Sequence, residues 1–198
     1  MKRLLIVAAL CLASMAHSQE IVGQAIVDGR IVNLFDNQTW AYSENVDQSC
    51  RAVTARVQFC GSQDTWTPIE LDNADVAAGF RHDDRHYAQF IIEEIGTDDG
   101  LSPDVMRQIV IDNAASASNK SPSEIPVLEV TETTLSGEAA DTMVYIGDID
   151  GFSFVFANTM YLASDFSMQV ISFAVSDSYS DKHRTLHANP LEATEVMP

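Results

Sequence analysis

The stretch from Pro126 to Val175 constrains this chain more than any other feature. It holds four apolar-rich runs of strand length separated by residues that turn a backbone sharply. Pro126 to Thr133 and Gly137 to Gly147 are joined at Ser136-Gly137. The turn Asp148-Ile149-Asp150-Gly151 leads into Phe152 to Tyr161, and Met168 to Val175 completes the set. Gly and Asp supply the backbone conformations that such turns demand. Phe152, Phe154 and Phe156 share one strand face, as do Gln169, Ile171 and Phe173. Consecutive antiparallel pairing then predicts a meander, with the alternating aromatics facing a core.

Upstream, Tyr87 to Ile95 reads as a strand and Asn73 to Gly79 as one short helix. Ser102-Pro103-Asp104 is a helix start: a capping hydroxyl, proline at the first helical position and a carboxylate in the first turn. Val105, Met106, Ile109 and Val110 extend it as an apolar stripe to about Ala117. Asp181 to Asn189 reads as a helix stopped by Pro190. Before residue 63, Asp28-Gly29 marks a hairpin, Trp40 and Tyr42 alternate on a strand, and Val53 to Phe59 alternates as one half-buried strand. The expected organisation is a leader over 1–18, a β appendage over 19–62 and an α+β domain over 63–198.

Lys2 and Arg3, the apolar run Leu4 to Ala13 and Ala16-His17-Ser18 form a secretory signal peptide, with cleavage near Ser18. Its apolar run is too short to span a bilayer, and no later run reaches that length, so the mature chain carries no transmembrane segment. The composition reads as bacterial, which places the protein in the periplasm or outside the cell. There, Cys50 and Cys60, the cysteines left after cleavage, are expected to form a disulfide. The chain carries 29 acidic against 11 basic residues, a formal charge of −18, which excludes nucleic acid as a partner because that binding needs cations on phosphates. From Ser121 to Asp181 there are ten acids and no Lys or Arg. That concentration suits solubility in salt, or a basic partner face.

The order of elements from about residue 64, with Tyr145-Ile-Gly-Asp-Ile-Asp-Gly-Phe152 and a late helix bearing His183 and His187, resembles the Mog1/PsbP-like α/β/α sandwich group over some two thirds of the chain. The resemblance implies an antiparallel sheet flanked by helices. It also implies mostly non-enzymatic roles: photosystem assembly factors, a nuclear-transport accessory protein, bacterial envelope proteins and secretion chaperones. The group shares no catalytic motif, so no site residue is carried over. The N-terminal appendage with Cys50 and Cys60 is not part of its pattern.

The candidate metal ligands are His82, His86, His183 and His187, two H-x₃-H pairs, the second on the expected helix where i, i+4 histidines share a face. Asp83 and Asp84 are possible oxygen donors; solvated histidines beside Arg81, Arg85 and Arg184 are the plain alternative. Asp148-x-Asp150-Gly151 and Asp98-Asp99-Gly100 lack the third acid and the glutamate of a calcium loop and read as turns. There is no nucleophile elbow, no H-E-x-x-H and no phosphate loop, and no cofactor is implied. The sequence therefore points to an exported, non-catalytic binding or accessory protein of the cell envelope acting on a protein partner. A hydrolase with a site assembled from dispersed His and carboxylates, and a small-ligand or metal carrier, are the alternatives.

Overall fold

The computed structural model describes residues 19–43, 50–62, 64–71 and 73–197, so the leader expected over 1–18 lies outside it. Strands β1 (Ile21–Val27), β2 (Arg30–Phe35) and β3 (Trp40–Tyr42) form an antiparallel ribbon. Its first turn is Asp28-Gly29, both at positive φ (53° and 74°), as a type I′ hairpin requires. Next come β4 (Arg51–Ala52) and β5 (Val57–Phe59), then β6 (Thr67–Ile69), β7 (Ala78–Asp83) and β8 (His86–Glu93). Helix α1 (Pro103–Ser118) is followed by β9 (Val127–Leu135), β10 (Glu138–Ile149), β11 (Phe152–Leu162) and β12 (Ser167–Val175). Helix α2 (Asp181–Glu192) and β13 (Thr194–Val196) close the chain.

The expected meander β9 to β12 forms, and β12 then pairs with β8, giving one seven-stranded antiparallel sheet in the order β6-β7-β8-β12-β11-β10-β9. Strand register assigns its two faces. Phe152, Phe154, Phe156, Asn158 and Met160 of β11 lie on one face with Tyr87, Gln89, Gln169, Ile171, Phe173, Met143 and Tyr145. Helix α1 packs on that face through Met106, Val110 and Ala115 against Met143, Tyr145 and Met160. The opposite face carries Val155, Ala157, Thr159, Val170, Ser172, Ala88 and Phe90, and Leu186 of α2 packs there. The architecture is an α+β sandwich, one antiparallel sheet with a helix on each side.

The N-terminal segment divides. The ribbon β1–β3 is a sheet of its own, whereas β5 pairs with the C-terminal β13 and with β4. Phe59 then packs on Phe80 and Phe90 in the main core, at ring distances of 4.5 and 5.7 Å. The run Val53 to Phe59 is a hairpin rather than the single strand its alternation suggested, because Val53 and Thr54 both donate to the Val57 carbonyl and close a turn. The Cys50–Cys60 disulfide ties the two ends of that hairpin together.

Two further expectations are corrected. Asn73 to Gly79 is not helical: the Asp75 amide donates to Asn73 Oδ1 (3.0 Å), a local bond that competes with a helix, and the chain runs straight into β7. Pro190 does not stop α2, which continues to Glu192 with the proline in its last turn. Thr194 Oγ1 donates to the Pro190 carbonyl (2.6 Å) and satisfies the end of the helix.

The disulfide closes a loop with a sequence separation of 10. Constraining the unfolded chain over a loop of that length stabilises a fold by roughly 2–3 kcal/mol. A Cys50→Ala, Cys60→Ala variant is expected to lose that much in urea unfolding; a loss below about 0.5 kcal/mol would show that the hairpin is held by its packing on Phe80 and Phe90 alone.

Candidate functional site

Seven strands expose a broad face to α1, and one helix covers only part of it. What remains between α1 and the Asn73–Asp75 turn is a cleft of about 470 Å³, within the range of ligand sites. Its floor is the sheet, with Gln89, Ile91, Asn158, Gln169, Ile171, Phe156 and Tyr145, and its α1 wall is made of Ile109, Asn113, Ala114 and Ala117. The expected apolar stripe of α1 therefore splits: Met106 and Val110 are buried on the sheet, whereas Ile109 is exposed and lines the cleft.

The wall is held at both ends. Ser102 caps α1 by accepting the Val105 amide (3.3 Å), and Arg107, near the start, bridges Asp104 and Asp141 of β10. At the far end Ser118 Oγ accepts the Asp148 amide (2.9 Å), and Lys120 pairs with Asp148. Gly147 permits this close approach, since a Cβ there would stand 3.1 Å from a Phe156 ring carbon and 3.5 Å from Ser118 Oγ.

Aromatic rings cross this face of the sheet as a ladder, of which Tyr145 and Phe156 line the cleft. Tyr145, Phe156, Phe173 and Tyr87 are successive cross-strand partners, stacked at centroid distances of 5.0, 5.7 and 5.3 Å. Such pairs stabilise a sheet beyond their buried area. Beyond the ladder the same face presents Phe152 (62% exposed), Ile149 and Val175, so the Phe152/Phe154/Phe156 row runs from solvent into the cleft instead of into a closed core. Beside it lies a pair of buried amides. Asn158 Nδ2 donates to Gln169 Oε1 (2.8 Å), while Asn158 Oδ1 is buried without a partner. Burial pushes the Tyr145 phenol far above its ordinary pKa, against a hydrogen bond from Asn158, and keeps the floor uncharged there. Asp75 and Glu93 supply the acids of the lining, and among the described residues no Lys or Arg lines the cleft.

The four candidate histidines separate into three and one. His82 and His86 flank the β7–β8 turn, and α2 begins beside it, so His82, His86 and His183 stand in file with centroids 6.3 and 5.7 Å apart. His86 Nδ1 bonds Asp83 Oδ1 at 2.6 Å. Burial pushes the Asp83 carboxyl up, but the bonds from His86 and the Arg85 amide, with the charges of His86 and Lys182, outweigh it and bring the pKa to about 2. His183 Nδ1 accepts the Ser180 amide at the start of α2 (3.1 Å), and its pKa is lowered by burial and by the neighbouring His86 and Lys182. Among the described residues, no three His, Cys, Asp or Glu side chains are set to hold one metal ion. Asp84 is exposed on the same turn.

His187 points the other way, into the sheet. Its Nε2 pairs with Thr159 Oγ1 (2.8 Å) and its Nδ1 with Ser172 Oγ (2.9 Å), so both nitrogens are engaged and it shares no site with His183. Thr142 extends the network through Thr159 (2.7 Å). Burial brings the His187 pKa down to about 4.

Sequence reasoning missed the amide pair and Gln89. A signal was present: Asn158 and Gln169 interrupt otherwise apolar strands, and a polar side chain at such a position needs a partner or a purpose.

No family model matches the chain, and no curated protein matches it. Among solved structures it is similar to cyanobacterial PsbP (CyanoP) from Synechocystis sp. PCC 6803, at 15% identity and a TM-score of 0.49 over 72% of this chain and 94% of that one. It is also similar to LpqN, involved in cell envelope biogenesis of Mycobacterium tuberculosis, at 13% identity and a TM-score of 0.44 over 72% of this chain and 83% of that one. A protein from Bacteroides thetaiotaomicron VPI-5482 is matched at 14% identity and a TM-score of 0.46, over 73% of this chain and 46% of that one. These are likenesses of layout, and no residue role passes from them to this chain.

His187 gives the fold an acid-sensitive term. Its native pKa lies below the unfolded value of 6.5, so its contribution is fully present above pH 6.5 and is lost as the pH falls from there toward 4. The shift to about 4 corresponds to about 3 kcal/mol. Asp83, depressed to about 2, acts in a separate and lower window, below pH 4. Urea unfolding between pH 7 and 4 is expected to show a steep loss that His187→Gln flattens; equal slopes in the two proteins would mean that His187 is not the group responsible.

Proposed function

We propose that the protein is an exported, non-catalytic binding protein that receives a segment of a protein partner in the cleft beside α1, in the periplasm or outside the cell. The observation that carries this reading is the unequal treatment of the two sheet faces. The α2 face is closed by α2, β5, β13 and an internally satisfied histidine, whereas the α1 face leaves Ile109, Ile149, Phe152 and Val175 exposed at the end of a half-buried aromatic ladder. Exposed apolar area of this kind, bordered by polar groups, marks interaction surfaces. The acid-lined cleft favours a partner segment that brings positive charge. The disulfide suits an oxidising compartment, and no helix among the described residues is long and apolar enough to cross a membrane.

The test is position-specific photocrosslinking in an envelope extract. A crosslinker at Asn113, on the cleft wall, is expected to capture a defined protein, whereas one at Lys182, exposed on α2, is not. Ala114→Arg, which fills the cleft from its wall, is expected to reduce the Asn113 product about tenfold without lowering the melting temperature. No specific product, or a product indifferent to Ala114→Arg, would overturn the reading.

A further inference from the structure

On the premise that the cleft takes a partner's chain, we infer that the side chain it selects is a cation, an arginine or lysine flanked by apolar residues. The first support is charge. Asp75 and Glu93 line the cleft, and neither belongs to an ion pair among the described residues. Asp141, Asp148, Glu129 and Asp165 are each met by a cation of this chain, Arg107, Lys120, Arg184 and Arg56, whereas Asp75 and Glu93, like Glu132 and Glu138 of the sheet, are left to solvent or a ligand. Lys120, at the cleft end of α1, is thereby committed to Asp148.

The second support is independent of charge. Asn158 is 1% exposed, lines the cleft floor and leaves Oδ1 without a donor. A buried acceptor without a partner destabilises a fold by about 1–3 kcal/mol, and a ligand that brings an N–H removes that penalty on binding. With Nδ2 turned to Gln169, as in this structure, the group left over is an acceptor. An acceptor in the floor and carboxylates in the lining call for the same ligand, one rich in donors and positively charged. A chain bearing a guanidinium supplies several N–H donors for the acceptor and the positive charge that the carboxylates favour. Flanking apolar residues have Ile109 and the exposed Phe152 and Val175 to cover.

Three capped tripeptides test this on the full exported chain: leucine–arginine–leucine, the same with citrulline, which keeps the shape and loses the charge, and the same with glutamate. Binding is read from the side-chain amide NMR signals of Gln89, Asn113, Asn158 and Gln169. The arginine peptide is expected to shift these signals and to bind about tenfold tighter than the citrulline peptide at low salt, with the advantage shrinking as salt rises. Glu93→Gln is expected to weaken it about threefold and Asn158→Leu about tenfold. Glu93 is exposed, so its variant keeps the test intact should Asn158→Leu fail to fold. Equal binding of arginine and citrulline peptides, or tighter binding of the glutamate peptide, would overturn the cation inference and leave the cleft reading standing. Silence of all four amides towards all three peptides would overturn it as well, and the Asn113 crosslink would then judge the cleft reading by itself.

Discussion

The width of the sheet sets the terms for everything packed on it. Seven strands spaced ~4.8 Å apart span roughly 29 Å, whereas a helix with its side chains is about 10 Å across, so one helix covers about two strands. A face given a single helix must stay partly open. On the α2 side the shortfall is made up by the small sheet β4-β5-β13, which brings Val57 and Phe59 down onto Phe80 and Phe90. On the α1 side no such cover exists among the described residues. Which strands stay bare there is decided by where α1 is fastened, and both fastenings, Arg107 to Asp141 and Ser118 to Asp148, are on β10. The helix therefore sits over β10 and β11 and leaves the β8 and β12 side of the floor as the cleft.

The sealed face explains two features that look functional in isolation. The disulfide holds a short hairpin whose value is the aromatic ring it delivers to the core. His187, one of a tempting i, i+4 pair, serves as the polar pin between α2 and the sheet, with a hydroxyl for each ring nitrogen. A neutral imidazole has one donor and one acceptor, and a hydroxyl can play either role, so the arrangement satisfies itself without a metal or a proton.

Much of this fold was legible in local sequence. Turns at Asp28-Gly29, Ser136-Gly137 and Asp150-Gly151 fall where positive φ was demanded, and the Ser102-Pro103 start of α1 is where its cap predicts. Illegible were features that depend on distant partners. The pairing of β5 with β13 joins residues 57–59 to 194–196, and neither segment announces the other. Val53 to Phe59 keeps its alternation through a turn, so periodicity alone reads it as continuous. Pro190 is tolerated because it falls in the last turn, with Thr194 bonding its carbonyl. The cleft was illegible for the same reason: the alternation of Phe152, Phe154 and Phe156 defines a face and says nothing about whether a helix covers it.

The segregation of charge along the chain acquires a meaning in three dimensions. The stretch from Ser121 to Asp181 has acids and no bases, and its paired acids are met by cations from outside it: Arg56, Arg107, Lys120 and Arg184. Exposed pairs of this kind contribute little energy each, typically 0–1 kcal/mol, so their worth is in orientation rather than stability. A meander without its own cations cannot satisfy these acids within itself, and the elements that carry cations, α1, α2 and the β4–β5 turn, are thereby directed onto it. Asp75 and Glu93, like Glu132 and Glu138 of the meander, have no ion pair among the described residues. The acid excess is therefore more than a solubility device: part of it assembles the sandwich, and two of the acids outside those pairs, Asp75 and Glu93, border the cleft beside α1.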